Sequence, residues 1–472
     1  MRLFATLSHY TMVSMNGHCF DRSFQMMFHR QDKGRWALAA KDSGSAGKTG
    51  QNIRKGTMIH MEISRNDIEI LRELGREYME IATLPIQRKK MEMWKAFNRS
   101  DSSRPMVIID QLPWNELNDK GELTLKVENE FFKGIEWTLR STIYKWRHFP
   151  VDMVVEPFIT IPKAINNTGF GLEAKSDLLG EDGTTAYSRH YNEVLNEEGD
   201  EENIKDMVIT LDVDESADRL ETAKMIFDGI APVISGHGLW FHLGVWDRLS
   251  EYRGVENIYC DLYDQPEFLH KCMRRLTDST IAGIKQANEL KIHDDIVNVM
   301  HCSYAYTDEY LPDFGKGKGP TSENCWSMGL AQLFSYVSPS VTEEFEIPYI
   351  QEMAKYFHSI YYGCCDRLDD RLDLVFRIPN VKKISCSPWS HKEPFAEKLQ
   401  GKKIAMSNKP NPAFLSGTFN EDIIRRDLRE TMDIGKKYNV NTELILKDIS
   451  TVSMEPERLT RWAEIAMEEA ER

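Results

Sequence analysis

Apolar residues recur every third or fourth position from Ser64 onward, at Ile68, Leu71, Leu74, Tyr78 and Ile81 and again at Met91 and Trp94. Residues 64–99 are therefore predicted to form one or two amphipathic helices. Short apolar, β-branched runs take over further along: Val107-Ile108-Ile109, Val154-Val155-Glu156-Pro157-Phe158-Ile159, 208–211, Val233-Ile234, 296–299, Ile360-Tyr361-Tyr362, Lys383-Ile384-Ser385, Ile404-Ala405-Met406 and Leu444-Ile445-Leu446. Helical periodicity fills many of the gaps, over 266–290, 341–359, 421–438 and 455–469. Strands alternating with helices build a parallel sheet. This many repeats favour an α/β fold of the (β/α)8 TIM-type barrel, capped by the N-terminal helical extension, although a doubly wound open sheet shares the alternation.

Two segments break the pattern. Residues 1–57 mix Met, His, Phe and Arg without periodicity, and are expected to be a poorly ordered extension with Met58 or Met61 as an alternative start, leaving 58–472 as the barrel. Within the extension, Gly47-Lys48-Thr49 echoes a phosphate-cradling loop, but the glycine needed five positions earlier is Asp42 and no buried strand leads in. The stretch 160–206 is longer than an ordinary connection and carries the acidic run 197–202, so it is expected to be an insert, either a lid or a solvated loop.

Composition narrows the function classes. The chain has 472 residues, 41% of them hydrophobic, enough for one large α/β domain with additions or for two ordinary domains. Its net charge of -15 argues against general attraction to nucleic acid or an anionic membrane, leaving small molecules or other proteins, including a second copy of the chain, as partners. The eight cysteines follow no disulfide framework, and neither a spanning apolar run nor a signal core is evident, so a cytoplasmic location is expected.

Candidate chemistry centres on Cys364 and Cys365, adjacent at the end of a short buried strand, where two thiols can hold a soft metal or attack as nucleophiles. Small buried cysteines packed as hydrophobes are the alternative. Further zinc ligands could come from Glu443, Cys386, His301-Cys302, His237 or His242, although each histidine taken singly fits a hydrogen-bonded structural role better than a ligand role. Asp110, Glu156 and Asp448 lie at or near the ends of apolar runs, where a carboxylate must be paired, metal-bound or raised in pKa; Arg147, Lys409 or Lys447 could supply the pairing. Lys409, before the rigid Pro410-Asn411-Pro412, could meet an anionic substrate. Asp264, with Glu267 three residues on, reads as the N-cap of the helix that follows. Tryptophans 114, 240, 246, 326 and 389 could wall a cleft for a flat ligand or pack in the core.

From about residue 63 onward the chain resembles the uroporphyrinogen decarboxylase superfamily, in its corrinoid-methyltransferase-like branch. The resemblance rests on Ile109-Asp110-Gln111-Leu112-Pro113-Trp114, Trp246-Asp247-Arg248-Leu249, Tyr263-Asp264-Gln265-Pro266-Glu267, Tyr362-Gly363-Cys364-Cys365-Asp366, Lys383-Ile384-Ser385-Cys386-Ser387-Pro388-Trp389, Lys409-Pro410-Asn411-Pro412 and Leu446-Lys447-Asp448. It implies a (β/α)8 barrel with a deep cleft for a tetrapyrrole or corrinoid. The arginine-rich motif of the decarboxylases has no counterpart here, and the His-x-Cys zinc pair of the methyltransferases is matched at Cys364 while Tyr362 replaces the histidine. The implied activity is methyl transfer between a small molecule and a corrinoid on a partner protein, assisted by zinc on Cys364, Cys365 and Glu443, with Trp246 and Tyr362 facing the cofactor. The competing expectations are a metal-free lyase using Asp110, Glu156 and Lys409, and a non-catalytic tetrapyrrole-binding protein.

Overall fold

The computed structural model describes residues 61–179, 188–236, 238–293, 299–309 and 320–472. Helices α1 (Arg65–Ala82) and α2 (Pro85–Asn98) lead, α1 capped by Ser64, whose hydroxyl accepts the Asp67 N–H, and α2 begun by Pro85, which has no N–H to leave unsatisfied. Strand β1 (Met106–Ile109) and helix α3 (Glu130–His148) follow. Short strands come next: β2 (Ile159–Pro162), β3 (Ala164–Asn167), β4 (Lys175–Leu179), β5 (Ser188–Asn192) and β6 (Ile209–Asp212). Helix α4 (Val213–Ile226) and strand β7 (Val233–Gly236) lead to helices α5 (Val245–Arg253), α6 (Val255–Asp264) and α7 (Pro266–Leu290), then to the hairpin β8 (Val299–Met300) and β9 (Ser303–Tyr304). The remainder alternates regularly: β10 (Trp326–Gly329), α8 (Pro339–Phe345), α9 (Ile347–Ala354), β11 (Ser359–Tyr362), α10 (Leu372–Val375), β12 (Val381–Cys386), α11 (Lys392–Leu399), β13 (Ala405–Asn408), α12 (Glu421–Tyr438), β14 (Thr442–Leu446) and α13 (Glu457–Ala470).

The fold is mixed α/β around a six-stranded parallel sheet in the order β1-β14-β13-β12-β11-β10. Both edges are met by further backbone. At β1 the Asp152 N–H donates to Val107 O (2.9 Å); at β10 the Leu243 N–H donates to Met328 O (2.8 Å). Alternation sends the two sets of side chains apart. Leu444 and Leu446 pack with Leu428, Leu459 and Trp462, while Ile384, Cys386 and Met406 pack with Phe395 and Leu399. The opposite face is polar as well as buried. There Lys383 Nζ lies 3.1 Å from Glu443 Oε2 and donates to Ser303 Oγ and Tyr304 O, so the β8–β9 hairpin closes over a fully buried ion pair.

Several expectations need correction. Residues 154–155 run without strand pairing, and the strand there is Ile159–Pro162, joined to β7. The 208–211 run lies outside the central sheet and pairs antiparallel with β3. Within the 160–206 stretch the described residues hold the β4–β5 ladder and a turn in which Asp200 Oδ2 accepts the Asn196 and Glu197 N–H groups. The 341–359 periodicity breaks at Glu346, because Pro348 denies α9 continuity with α8. Asp264 is the last residue of α6, not a cap; α7 starts at Pro266 and needs no donor satisfied at its first position. The 1–57 extension with Gly47-Lys48-Thr49, His237 and most of the 296–299 run lie outside the described residues.

Among the described residues no helix is long and apolar enough to cross a membrane. The buried pair yields a direct test: Glu443→Ala strands the Lys383 ammonium in the interior, so urea unfolding should show a loss of about 3–5 kcal/mol, whereas Lys383→Met with Glu443→Leu should cost far less.

Candidate functional site

Chemistry collects where the parallel strands end. Strand β11 delivers Gly363, Cys364 and Cys365; Gly363 sits at φ 87°, and a Cβ there would lie 2.6 Å from Leu368 Cδ1, so only glycine makes this turn. Strand β14 delivers Lys447 and Asp448, and Asp448 adopts φ 56°, an uncommon left-handed conformation for a residue with a side chain. These two ends meet in a closed ring. Lys447 Nζ lies 3.3 Å from Cys364 Sγ, which is 3.4 Å from Cys365 Sγ; Cys365 Sγ donates to Asp448 Oδ2 at 3.0 Å, and that oxygen is 3.2 Å from Lys447 Nζ.

The ring has a buried side and an open one. Cys364 is fully buried among Met300, Trp326, Met328 and Leu330. His301 Nε2 is 3.5 Å from Lys447 Nζ. Burial lowers the His301 pKa, and burial, with Arg248 and His301 adding to it, pushes His242 down to about 3, so both imidazoles are neutral. Cys365, Lys447 and Asp448 line a cleft of ≈ 270 Å³ that also includes Lys409, Asn411, Trp389, Ser450 and Thr451.

Lys409 is the second element of the cleft. It donates to Tyr361 Oη (2.6 Å) and Ser407 Oγ (2.9 Å), both neutral, and makes no ion pair among the described residues. Burial, then repulsion from Lys447, lowers its pKa to about 8. Behind Cys364 stands a third group, the acids Asp247, Glu346 and Asp366. Burial pushes Asp247 up to about 8 despite the Gln332 hydrogen bond, raises Glu346 well above the carboxylate range, and raises Asp366 to about 6 although the Cys364 N–H bonds its Oδ1 at 2.7 Å.

The structure thus brings together Cys364, Cys365, Lys409 and Asp448, and sets the other candidates apart. Asp110 follows β1 and faces Lys145 at 3.7 Å beside a separate small cavity shared with Cys302. Glu156 accepts the Tyr306 hydroxyl at 2.6 Å, while Arg147 pairs with Glu77 and Glu122. Trp246 is fully buried, its indole N–H held by Phe345 O, and Tyr362 is buried with its hydroxyl 3.4 Å from Glu346 Oε1; neither lines the cleft. Cys386 is fully buried, its thiol pushed up to about 12. Asp247, Asp366 and the central part of Lys447 escaped the sequence reading. For Lys447 a signal existed: it continues the 443, 445, 447 alternation that puts Glu443 on the inner face.

Glu443 is four residues before Lys447 on an extended strand, roughly 13 Å along it, and is engaged by Lys383 and Ser303. Among the described residues no three His, Cys, Asp or Glu side chains are arranged to hold a metal ion, and an ammonium occupies the place beside Cys364 that a third ligand would need. Among the described residues, Cys364, Cys365 and Glu443 are not brought together as one ligand set.

No protein-family model matches this chain, and no curated protein matches it.

A pH test follows from Lys409. With its pKa lowered from 10.5 to about 8, the unfolded chain binds more protons than the folded one between these values, so the lysine's destabilising effect is full below pH 8 and relieved as pH rises to about 10.5. Denaturant midpoints of wild type minus Lys409→Met should therefore climb across that window and stay flat between pH 6 and 7.

Proposed function

We propose that this chain is a methyltransferase whose working surface is the Cys364–Cys365–Asp448–Lys447 ring, moving a methyl group between a small molecule and a corrinoid on a separate carrier protein. The observation that supports it most is the ring itself: two sulfurs, one acid and one cation, drawn together from two strand ends, with Cys365, Lys447 and Asp448 on the wall of one cleft and Cys364 buried behind them. The carrier's corrinoid would supply the nucleophile that takes the methyl carbon. As the bond from that carbon to the donor's oxygen, nitrogen or sulfur breaks, the electron pair stays on the donor atom. Cys365 gives that atom its thiol proton, and the Lys447 ammonium faces the charge as it develops. Asp448 holds the S–H at rest and returns a proton from solvent to the sulfur afterwards. Lys447 fills the role expected of zinc, and no step passes through a metal. The cleft, at ≈ 270 Å³, favours a small donor inside with the corrinoid remaining on its carrier.

The lyase reading receives less support, since Asp110 lines a different cavity from Lys409 and Glu156 is engaged by the Tyr306 hydroxyl. We also infer that the sheet closes into a barrel. Lys383 on β12 reaches Glu443 on β14, and Cys364 after β11 reaches Lys447 after β14; across three flat strand spacings the latter ends would stand about 14 Å apart, so the sheet curls strongly. A reducing, cytoplasmic setting is the one that seven free described cysteines favour.

The test uses free cob(I)alamin as stand-in acceptor with a panel of methyl ethers, methyl thioethers and methylamines, read by corrinoid absorption. Cys365→Ala and Lys447→Met should each slow transfer by about 10²–10⁴. Full activity in Cys365→Ala, or no transfer from any donor, overturns the proposal. Stoichiometric zinc lost on Cys364→Ala with Cys365→Ala would overturn the thiol-acid role and restore the metal.

A further inference from the structure

We propose that Lys409 and Trp389 form a subsite for a small flat monocarboxylate, the ammonium taking the carboxylate and the indole covering the ring. This names a substrate class for the cleft assigned above, and rests on that assignment only for its catalytic meaning.

The argument starts from a cation without an anion. Lys409 is 3% exposed, and its ammonium has three N–H donors of which two go to the Tyr361 and Ser407 hydroxyls. The third has no partner among the described residues, and Lys409 is part of the cleft wall. A buried charge satisfied only by neutral groups is costly, and a carboxylate arriving from solvent removes that cost. Its position is well fixed: the Lys409 N–H is held by Cys386 O at 2.9 Å, and Pro410 and Pro412 stiffen the turn that follows.

Charge and shape select among anions. On the cleft wall Lys447 is balanced by Asp448, leaving Lys409 as a single uncompensated positive charge, which suits a monoanion; the Asp448 carboxylate opposes a phosphate dianion. Trp389, on the same wall, is 66% exposed, a large ring left for solvent or for a ligand's apolar face. A volume of ≈ 270 Å³ suits a single ring better than a large polycyclic cofactor.

Benzoate is the probe, titrated into the full chain by calorimetry, with benzamide as its neutral isostere and inorganic phosphate as competitor. Benzoate should bind, benzamide about ten-fold or more weaker; Lys409→Met and Lys409→Gln should each lose about ten-fold, and Trp389→Ala several-fold. Lys409→Met should unfold at an equal or higher denaturant concentration than wild type, which shows that lost binding is not lost folding. Equal affinity for benzoate and benzamide, undiminished binding in both Lys409 variants, or displacement by phosphate would overturn the subsite. Benzoate binding is read on the wild type without methyl donor or corrinoid, so failure of methyl transfer and failure of this subsite are told apart.

Discussion

Charges buried on one face of the six-stranded parallel sheet are the constraint from which the rest of this molecule follows. An apolar interior cannot hold Lys383, Lys409, Lys447 and Glu443 unless each meets a partner, and several of the partners come from strands that are not neighbours. Lys383 is answered by Glu443 two strands away and by the β8–β9 hairpin; Lys447 is answered by Asp448 and by the sulfur of Cys364. One cation, Lys409, has only hydroxyls. Stability and reactivity separate along the strands in this way: complete compensation in the lower layer, incomplete compensation at the mouth.

The surroundings of Cys364 reinforce that separation. Neutral imidazoles at His242 and His301 stand on one side, and acids displaced upward in pKa, Asp247, Glu346 and Asp366, on another. Burial thus works against charge on each of these groups, while the Lys447 ammonium, paired with Asp448, stands 3.3 Å from the sulfur. Left-handed backbone at Gly363, His301, Cys302 and Asp448 accompanies the arrangement, strain that the packed sheet beneath holds in place.

How much of this could be read from the residues depends on how local each signal was. Helices α7 and α12 have the bounds that periodicity predicts, because their apolar stripes face the core along their whole length. Strand β10 carries little local signal: Trp326-Ser327-Met328-Gly329 is four residues long, has no β-branched residue and ends in glycine, and is a strand because β11 lies beside it. The thiols and Lys409 were visible as residues at strand ends, whereas the partnership of Cys364 with Lys447 joins positions 83 apart and depends on curvature that no local pattern encodes. Glu443 and Trp246 misled for a related reason. Each lies in a suggestive segment, but one is committed to a lysine and the other to a helix-packing core.

Strand β14 is the last of the described strands in the sequence, yet it sits inside the sheet, between β1 and β13. A chain emerging from the ribosome therefore holds a gap beside its first strand until residues 442–446 arrive, and the same insertion that fills the gap carries Lys447 and Asp448 to the sulfurs. Assembly of the reactive centre is thereby tied to completion of the sheet, so that truncated translation products would lack the cation, the acid and a wall of the cleft together.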